Sequence, residues 1–267
     1  MFTVEKRGNL YILTLTGNNE HRLNPTLISS IRSSLSQIKS QSLASKTPSA
    51  LITTADGKFF SNGYDIAWVN SSSNPKLAEK IMDSQLQALI AELISFPMPT
   101  IAAINGHASA AGFILAMAHD FVLMRKERGY LYMSEVNIGL VIPPWFVAVM
   151  KCKIGGGWEG MRKVALMAEK VTAERGKREI GVVDEVFEGA AATVEGAVKL
   201  GEELVKRGWD GVVYGENRKV LLKEVLDLIG NNQGLGLNYD DLVIKFKPRL
   251  KRGSLGLSPK NMSIMFL

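Results

Sequence analysis

The chain has 267 residues, of which 46% are hydrophobic and 22% are charged, so it holds enough material for one large globular domain. Its 32 basic and 26 acidic residues give a mild positive excess, and neither zinc-finger spacing nor an aromatic RNA-binding signature accompanies it, which argues against a nucleic-acid-binding protein. The single cysteine, Cys152, excludes an internal disulfide, and the apolar stretches at 101–104 and 136–150 do not reach the roughly 20 uninterrupted apolar residues of a membrane span.

The first predicted elements are a hairpin and a helix. Strand-forming residues at 2–6 and 10–15 flank a turn at Gly8-Asn9, which is typical of a hairpin. A helix then begins at Pro25 with Asn24 as its cap. Its apolar face consists of Leu27, Ile28, Ile31, Leu35 and Ile38.

The middle of the chain alternates short strands with helices. A strand at 50–54 leads into a loop at 56–65, and a second amphipathic helix covers about 76–95. The predicted stripe of that helix is Leu77, Ile81, Leu89 and Leu93. After Pro97 and Pro99 come a strand at 100–104, a loop at 107–111, a helix at about 112–118 and a strand at 121–124. This alternation predicts an α/β architecture, and helices at 194–206 and 217–229 predict a helical final part.

Two loops stand out as candidate sites. In the first, Phe59 to Asp65, the pair Asn62-Gly63 favours a left-handed turn, which either closes an ordinary hairpin or points backbone N–H groups at an anion. In the second, Asn105 to Gly112, small residues precede an apolar helix. They either expose the unpaired N–H groups of its first turn or merely let a buried helix pack closely.

The two loops together resemble a known pair. FSNGYD followed by PTIAAINGHASAAG is similar to the oxyanion-hole loops of the crotonase (enoyl-CoA hydratase/isomerase) superfamily, and the run at 173–186 also resembles it. The resemblance covers about residues 3–190 and is strongest to the plant peroxisomal enoyl-CoA delta isomerases. It implies that the N–H groups of Tyr64 and Ala111 hold the carbonyl oxygen of a coenzyme A thioester, where they stabilise an enolate.

The resemblance also implies a catalytic base. A family carboxylate follows the second loop, and Glu135 occupies its place, although a lone Glu there is ordinarily a solvated surface residue. Hydratases have a second Glu where this chain has Ile114, so a reaction with one base is implied. The segment that contains Trp145, after the base, resembles the corresponding segment of the isomerases as well. Trp145 also fits ordinary core packing. The implied activity is an isomerisation in the β-oxidation of unsaturated fatty acids, in which a β,γ double bond moves to the α,β position. The alternatives are an enoyl-CoA hydratase or another crotonase-type acyl-CoA enzyme, or a protein that binds acyl-CoA without catalysis.

Further residues are implied as contacts of the coenzyme arm: Arg22, Leu23, Asp65, Ile66 and Ala67. Arg22 either meets a phosphate or is a solvated charge before a helix. Coenzyme A enters as part of the substrate and no prosthetic group is implied. No metal is predicted, because neither His107 nor His119 has neighbours with ligand spacing.

The implied fold is a crotonase-type spiral of repeated strand-strand-helix units. It predicts a core at 1–190, a mostly helical region at 191–267, and a homotrimer or homohexamer. Six basic residues lie near the end, and they are either a solvated tail or a collar for a polyanion: Lys245, Lys247, Arg249, Lys251, Arg252 and Lys260.

Charged residues at 5–7 stand where a secretory signal needs its apolar core, so export is not expected. The resemblance implies a peroxisomal location, with the cytoplasm as the alternative. The end, Ile264 to Leu267, shares only its final Leu with a Ser-Lys-Leu type signal.

Overall fold

The computed structural model describes residues 1–231, so the predicted basic tail lies outside the described residues. Within that range the strands are, in chain order, β1 (Phe2–Arg7), β2 (Leu10–Leu15), β3 (Ala50–Ala55), β4 (Phe59–Ser61), β5 (Thr100–Ile104), β6 (His107–Ser109), β7 (Phe121–Arg125), β8 (Leu131–Tyr132) and β9 (Glu185–Phe187). The α-helices are α1 (Pro25–Ser45), α2 (Ile66–Asn70), α3 (Pro75–Ile94), α4 (Ala111–Met117), α5 (Pro144–Lys153), α6 (Gly157–Met161), α7 (Ala173–Arg175), α8 (Ala190–Lys206), α9 (Gly211–Leu221) and α10 (Lys223–Asn231). A 3₁₀ turn at Glu135–Ile138 and π-helical turns at Arg162–Leu166 and Gly176–Ile180 complete the elements.

The strands form two sheets, and we call them the large sheet and the small sheet. The large sheet has six strands in the order β1-β2-β3-β5-β7-β9, antiparallel between β1 and β2 and parallel elsewhere. The small sheet has three parallel strands in the order β4-β6-β8. The chain therefore has a mixed α/β fold with largely parallel sheets and a helical end, as the sequence predicted.

Side chains on the two faces of the large sheet pack against different helices. On β2, Leu10 and Ile12 belong to a cluster with Ala197 and Val198 of α8. The alternate residues of β2, such as Leu13, join the cluster that contains the buried faces of α1 and α3. Because a strand points successive side chains to opposite faces, this alternation places one helical layer on each side of the sheet.

Three details differ from the sequence prediction. The predicted loops at 56–65 and 107–111 contain the short strands β4 and β6, and α2 follows the first of them. On α3, Leu77 is 53% exposed and Ile81 is 41% exposed, whereas their neighbours Ala78 and Met82 are buried. The reason is α2, whose Val69 packs on Ala78 and Met82 and so turns that face of α3 inward.

The helical end is joined to the core by a buried arginine. The predicted helix at 217–229 is two helices, α9 and α10, which are separated at Leu222. Arg218 of α9 is 4% exposed and binds Asp120 at 2.6 Å. Its other N–H groups donate to the carbonyls of Phe96 and Met98 at 2.8 and 2.7 Å. The buried guanidinium group of Arg218 needs these partners, because an unpaired buried cation is costly.

The predicted division of the chain at residue 190 stays a prediction.

His119 is a second buried polar residue of the core. Its ring Nδ1 lies 2.9 Å from the carbonyl oxygen of Leu115 and its Nε2 lies 2.8 Å from the hydroxyl of Thr53, so both nitrogens have partners. Burial lowers the pKa of His119 from 6.5 to about 4, against weaker opposing effects that include the Leu115 carbonyl and the charge of Asp120. The folded protein therefore holds this imidazole neutral at pH values where the unfolded chain protonates it.

We expect His119 to make the protein sensitive to acid. Because its pKa is lowered from 6.5 to about 4 on folding, the unfolded state binds the extra proton between these values and stability falls as the pH falls. At about 1.4 kcal/mol per pH unit, the loss is about 3 kcal/mol, and this residue has no effect above that window. Urea unfolding of the wild type and of His119→Gln at a series of pH values measures this. An equally steep acid loss in the variant would contradict the assignment.

Candidate active site

The small sheet brings the three predicted catalytic groups to one edge. Its strands are parallel, so their carboxyl ends lie on the same side. Tyr64 follows β4, Ala111 follows β6 and Glu135 follows β8. Three segments that are far apart in the sequence therefore meet at one place.

In the first loop, the main chain around Tyr64 is held by a neighbouring segment. Gly63 has a φ of +73°, the left-handed conformation that Asn62-Gly63 predicted. The N–H of Leu23 donates to the Gly63 carbonyl at 2.8 Å, and the N–H of Asp65 donates to the Leu23 carbonyl at 3.1 Å. Within the described part of the chain, the Tyr64 N–H between them has no protein acceptor. The loop is not a hairpin turn, since β4 pairs in parallel with β6.

In the second loop, a strained residue precedes α4. Ala110 has φ 49° and ψ −120°, a conformation that costs a residue with a side chain on the order of 1–3 kcal/mol. Its carbonyl accepts from the N–H groups of Phe113 and Ile114 at 2.9 and 3.1 Å. The N–H of Ala111, the first residue of α4, has no acceptor among the described residues. Strain of this kind is typical of functional loops.

The two loops touch at their glycines. A Cβ atom placed on Gly63 would lie 3.0 Å from the Ser109 carbonyl oxygen and 3.4 Å from the Ala111 nitrogen. A Cβ atom placed on Gly112 would lie only 2.3 Å from the Ser61 carbonyl oxygen. At Gly112 only glycine permits this approach, and at Gly63 both the tight fit and the left-handed φ of +73° favour glycine, so the close contact of the loops depends on these two positions.

Glu135 contributes a buried carboxyl group. It opens the 3₁₀ turn, is 7% exposed, and its Oε2 has no hydrogen-bond partner in the described structure. Burial raises the pKa of Glu135, and the backbone N–H groups of Glu135 and Ser134 lower it less. The solvated surface position considered from the sequence is therefore wrong. A raised pKa and an unpaired oxygen are what a general base needs.

Electrostatics connects Glu135 to the first loop. The pKa of the Tyr64 phenol is raised by burial first, then by the charge and hydrogen bond of Asp83, and further by the charges of Glu79 and Glu135. The charge of Glu135 therefore contributes to the electrostatic environment of the Tyr64 phenol. The acidic group and the N–H groups of Tyr64 and Ala111 all follow the carboxyl ends of the parallel strands of the small sheet, which places them at the same end of that sheet.

Apolar residues take the other notable positions. Ile114 lies one turn along α4 from Ala111 and is fully buried, so no second carboxylate stands there. Trp145, in the first turn of α5, is 4% exposed. Its indole N–H donates to Asp83 at 3.2 Å, so it is a core residue with one specific polar contact.

Asp83 is a residue that sequence reasoning missed. Besides the Trp145 N–H, its side chain accepts from the Tyr64 hydroxyl at 2.6 Å and from the Gln87 amide at 2.6 Å. The only available signal was a polar pair, Asp83 and Gln87, at i and i+4 beside the apolar stripe of α3.

The residues predicted for the coenzyme arm fall into two groups. Leu23 is fully buried, and Asp65 caps α2 by accepting from the Trp68 N–H at 3.1 Å. Both therefore hold the loop. Ile66 is 47% exposed and Ala67 is also exposed, so both are accessible to a ligand.

Arg22 is partly exposed and already has partners. It pairs with Glu20 at 2.6 Å and donates to the Tyr64 carbonyl at 3.3 Å. The structure therefore attaches Arg22 to the same loop as the Tyr64 N–H. Its contact with a phosphate stays a prediction.

The histidines do not form a metal centre in the part of the chain described. No group of three or more His, Cys, Asp and Glu side chains in residues 1–231 is placed to hold an ion. His119 is bound on both nitrogens, and the His107 ring stacks on Tyr130 at 5.5 Å. No helix among these residues is long and apolar enough to cross a membrane.

Comparisons with known proteins identify the family of the chain. Residues 6–214 match the family described as enoyl-CoA hydratase/isomerase. The chain is 58% identical to enoyl-CoA delta isomerase 1, peroxisomal, of Arabidopsis thaliana, over 85% of this chain and 91% of that relative. It is 45% identical to enoyl-CoA delta isomerase 2, peroxisomal, of the same plant, over 86% and 95% of the two chains.

A solved structure has the same fold. The apo structure of the enoyl-CoA isomerase of Mycobacterium tuberculosis superposes with a TM-score of 0.75, covering 92% of this chain and 98% of that one. At 18% identity this match concerns the fold alone.

Proposed function

The chain belongs to the enoyl-CoA hydratase/isomerase family, and we propose that it is an enoyl-CoA delta isomerase, which moves a β,γ double bond of an acyl-CoA to the α,β position. The observation that carries the proposal is a single buried carboxyl group, Glu135, with an unpaired oxygen, at the same end of the small sheet as two backbone amides without protein acceptors. The names of the two plant relatives support the same reaction.

In the proposed mechanism, the thioester oxygen accepts hydrogen bonds from the N–H groups of Tyr64 and Ala111. The Glu135 carboxylate removes a proton from the α carbon, and the electron pair delocalises into a dienolate whose charge rests on that oxygen. The carboxylic acid then returns the proton to the γ carbon, which leaves the double bond between the α and β carbons. Glu135 ends in its original form, so no other acid, base, metal or prosthetic group is needed.

Ile114 supports isomerisation over hydration. Adding water to an α,β double bond needs a group that activates the water and a group that protonates the α carbon. The position one turn after Ala111 holds a fully buried Ile, which can do neither. An apolar side chain there also helps to exclude water from the dienolate.

The test is a spectroscopic assay on the full chain. We expect a β,γ-unsaturated acyl-CoA to be converted to the conjugated α,β thioester, which absorbs in the ultraviolet. Parallel reactions with α,β-unsaturated and saturated thioesters separate the family's reactions. Loss of conjugated substrate in water, with no conversion of the β,γ compound, would identify a hydratase. Binding without turnover of any thioester would identify a binding protein.

The proposal assigns the coenzyme arm to the surface beside the first loop. Ile66 and Ala67 are the exposed residues there, and Arg22 supplies a positive charge that could pair with a phosphate group. Leu23 and Asp65 act by shaping the loop. Coenzyme A is thus a carrier for the substrate.

We extend the proposal to location and assembly. The names of the two plant relatives support a peroxisomal enzyme, which imaging of a fluorescent fusion would test. Exposed apolar residues support self-association into a trimer or paired trimers, and the clearest run of them is Val136, Ile138, Leu140 and Val141. Sedimentation of the full chain at the mass of one subunit would contradict such an assembly.

A further inference from the structure

A carboxylate on α3 connects the first loop to the helix that follows Glu135. Asp83 Oδ1 accepts from the Tyr64 hydroxyl at 2.6 Å and from the Trp145 indole N–H at 3.2 Å. Its Oδ2 accepts from the Gln87 amide at 2.6 Å. Both oxygens are occupied by protein donors, so this carboxylate is arranged to hold side chains in place.

We propose that Asp83 is a positioning residue for the reaction, which fixes Tyr64 so that its backbone N–H points at the thioester oxygen. This inference rests on the proposed function and adds a residue to it. Asp83 touches neither the thioester nor the reacting carbons in this scheme. It acts through Tyr64 and, on the other side, through Trp145.

The main chain of Tyr64 is held from the side of Leu23 and Arg22, and Asp83 holds its side chain from the other. Leu23 and Arg22 bind the carbonyl groups of Gly63 and Tyr64, which fixes the backbone from one direction. The Leu23 bond orients the Gly63–Tyr64 peptide, which also carries the Tyr64 N–H, because the two groups share one planar unit. Anchoring the phenol hydroxyl to Asp83 provides a second fixed point on Tyr64, so that this peptide cannot tilt about the Leu23 bond.

The aromatic neighbours make the anchor rigid. The Tyr64 ring lies 6.2 Å from the Phe146 ring, and the Phe146 ring lies 4.3 Å from the Trp145 ring in an edge-to-face contact. Asp83 binds Tyr64 and Trp145 at the two ends of this row. A shift of either ring therefore requires a shift of the others.

The negative charge of Asp83 matters, because it accepts three hydrogen bonds at once. Hydrogen bonds to a carboxylate are roughly twice as strong as those between neutral groups. An Asn side chain has only one acceptor oxygen, so its NH₂ group would face either the Gln87 amide or the donors of Tyr64 and Trp145. With its NH₂ group toward Gln87, whose amide can turn to accept, the Asn oxygen still receives the Tyr64 and Trp145 donors, but only through weaker neutral hydrogen bonds.

The experiment compares Asp83→Asn, Tyr64→Phe and the double variant in the isomerisation assay. We expect Asp83→Asn to lower kcat about 10- to 100-fold, with KM changed less than about 3-fold. This decrease does not exceed the loss of rate that typically follows removal of a whole oxyanion donor. Since both substitutions act on the same hydrogen bond, the double variant should be no slower than the slower single one. Glu79→Gln, which removes a charge one helical turn away on α3 and breaks no hydrogen bond to Tyr64, is the matched control.

The outcomes separate this inference from the proposed function. Wild-type kcat in Asp83→Asn, or losses that multiply in the double variant, would overturn the role of Asp83 while leaving the isomerase intact. If the wild type does not isomerise at all, the proposed function fails. The role of Asp83 is then tested by the exchange of the α hydrogens of a saturated acyl-CoA in D₂O. Slower exchange in Asp83→Asn than in the wild type supports the positioning role, whereas equal rates, or no exchange in the wild type, overturn that role. Should Asp83→Asn fail to fold, Tyr64→Phe tests the anchor with one oxygen removed.

Discussion

Glu135→Gln is expected to lower isomerisation by about 10²–10⁴-fold while acyl-CoA binding stays measurable, because a general base typically contributes that factor. The substitution keeps the size of a side chain that is 7% exposed, so the fold should be preserved. The amide has no basic oxygen able to take the α proton. Turnover of a β,γ-unsaturated substrate gives the rate, and calorimetry with a saturated acyl-CoA gives the affinity. Near-normal turnover would remove Glu135 from its role.

Two controls belong to that measurement. Glu203→Gln changes an exposed Glu of α8 and should leave the rate unaltered. In the wild type, the pH dependence of kcat/KM should show activity lost on acidification as the carboxylate is protonated. Because burial raises the pKa of Glu135 from 4.5, that acid limb should lie above pH 4.5. A limb at or below that value would show that the buried carboxyl is not the base.

Gly112→Ala is expected to slow the reaction about 10²–10³-fold, the typical effect of losing one oxyanion donor. The new Cβ would lie 2.3 Å from the Ser61 carbonyl oxygen and 2.8 Å from the Ser61 carbonyl carbon, and real Cβ atoms do not approach backbone so closely. The two loops must separate, which moves the Tyr64 and Ala111 amides apart. Rates are measured together with the thermal midpoint, since the same clash also destabilises the fold.

The matched control is Gly230→Ala, whose Cβ would meet no atom within 4 Å. It should leave both rate and thermal midpoint nearly unchanged. If Gly112→Ala retained full activity, close contact of the loops would not be needed for the chemistry. If it lost stability but kept the rate of its folded fraction, Gly112 would serve packing alone.

The larger elements of the fold could be predicted because their signals are local. Asn24 and Pro25 mark the start of α1, and the turn at Gly8-Asn9 separates β1 from β2. The strands β4 and β6 have three residues each, too few to show an alternating pattern, so they were interpreted as loops. The outward turn of Leu77 depends on contacts with α2, which no pattern within α3 can reveal.

For the site, the sequence supplied the candidate groups but not their arrangement. The predicted segments do meet, because the parallel small sheet collects its carboxyl ends at one edge. The unpaired oxygen of Glu135 and the strained Ala110 are properties of the folded chain. Two of the partners of Asp83, Tyr64 and Trp145, lie 19 and 62 residues away along the chain, so its connecting role was not predictable from local spacing.

The two candidate donors are main-chain N–H groups, so their presence does not depend on which amino acid is encoded at either position. Every encoded residue except proline supplies an N–H at position 64 or 111, so a substitution there changes packing and the direction of the N–H but does not remove the donor. An alanine scan removes neither of these two donors, and position 111 is already alanine. The two N–H donors therefore depend on the backbone conformation of the loops. Substitutions of neighbouring side chains, such as the one at Ile114, can change the reaction without removing these donors.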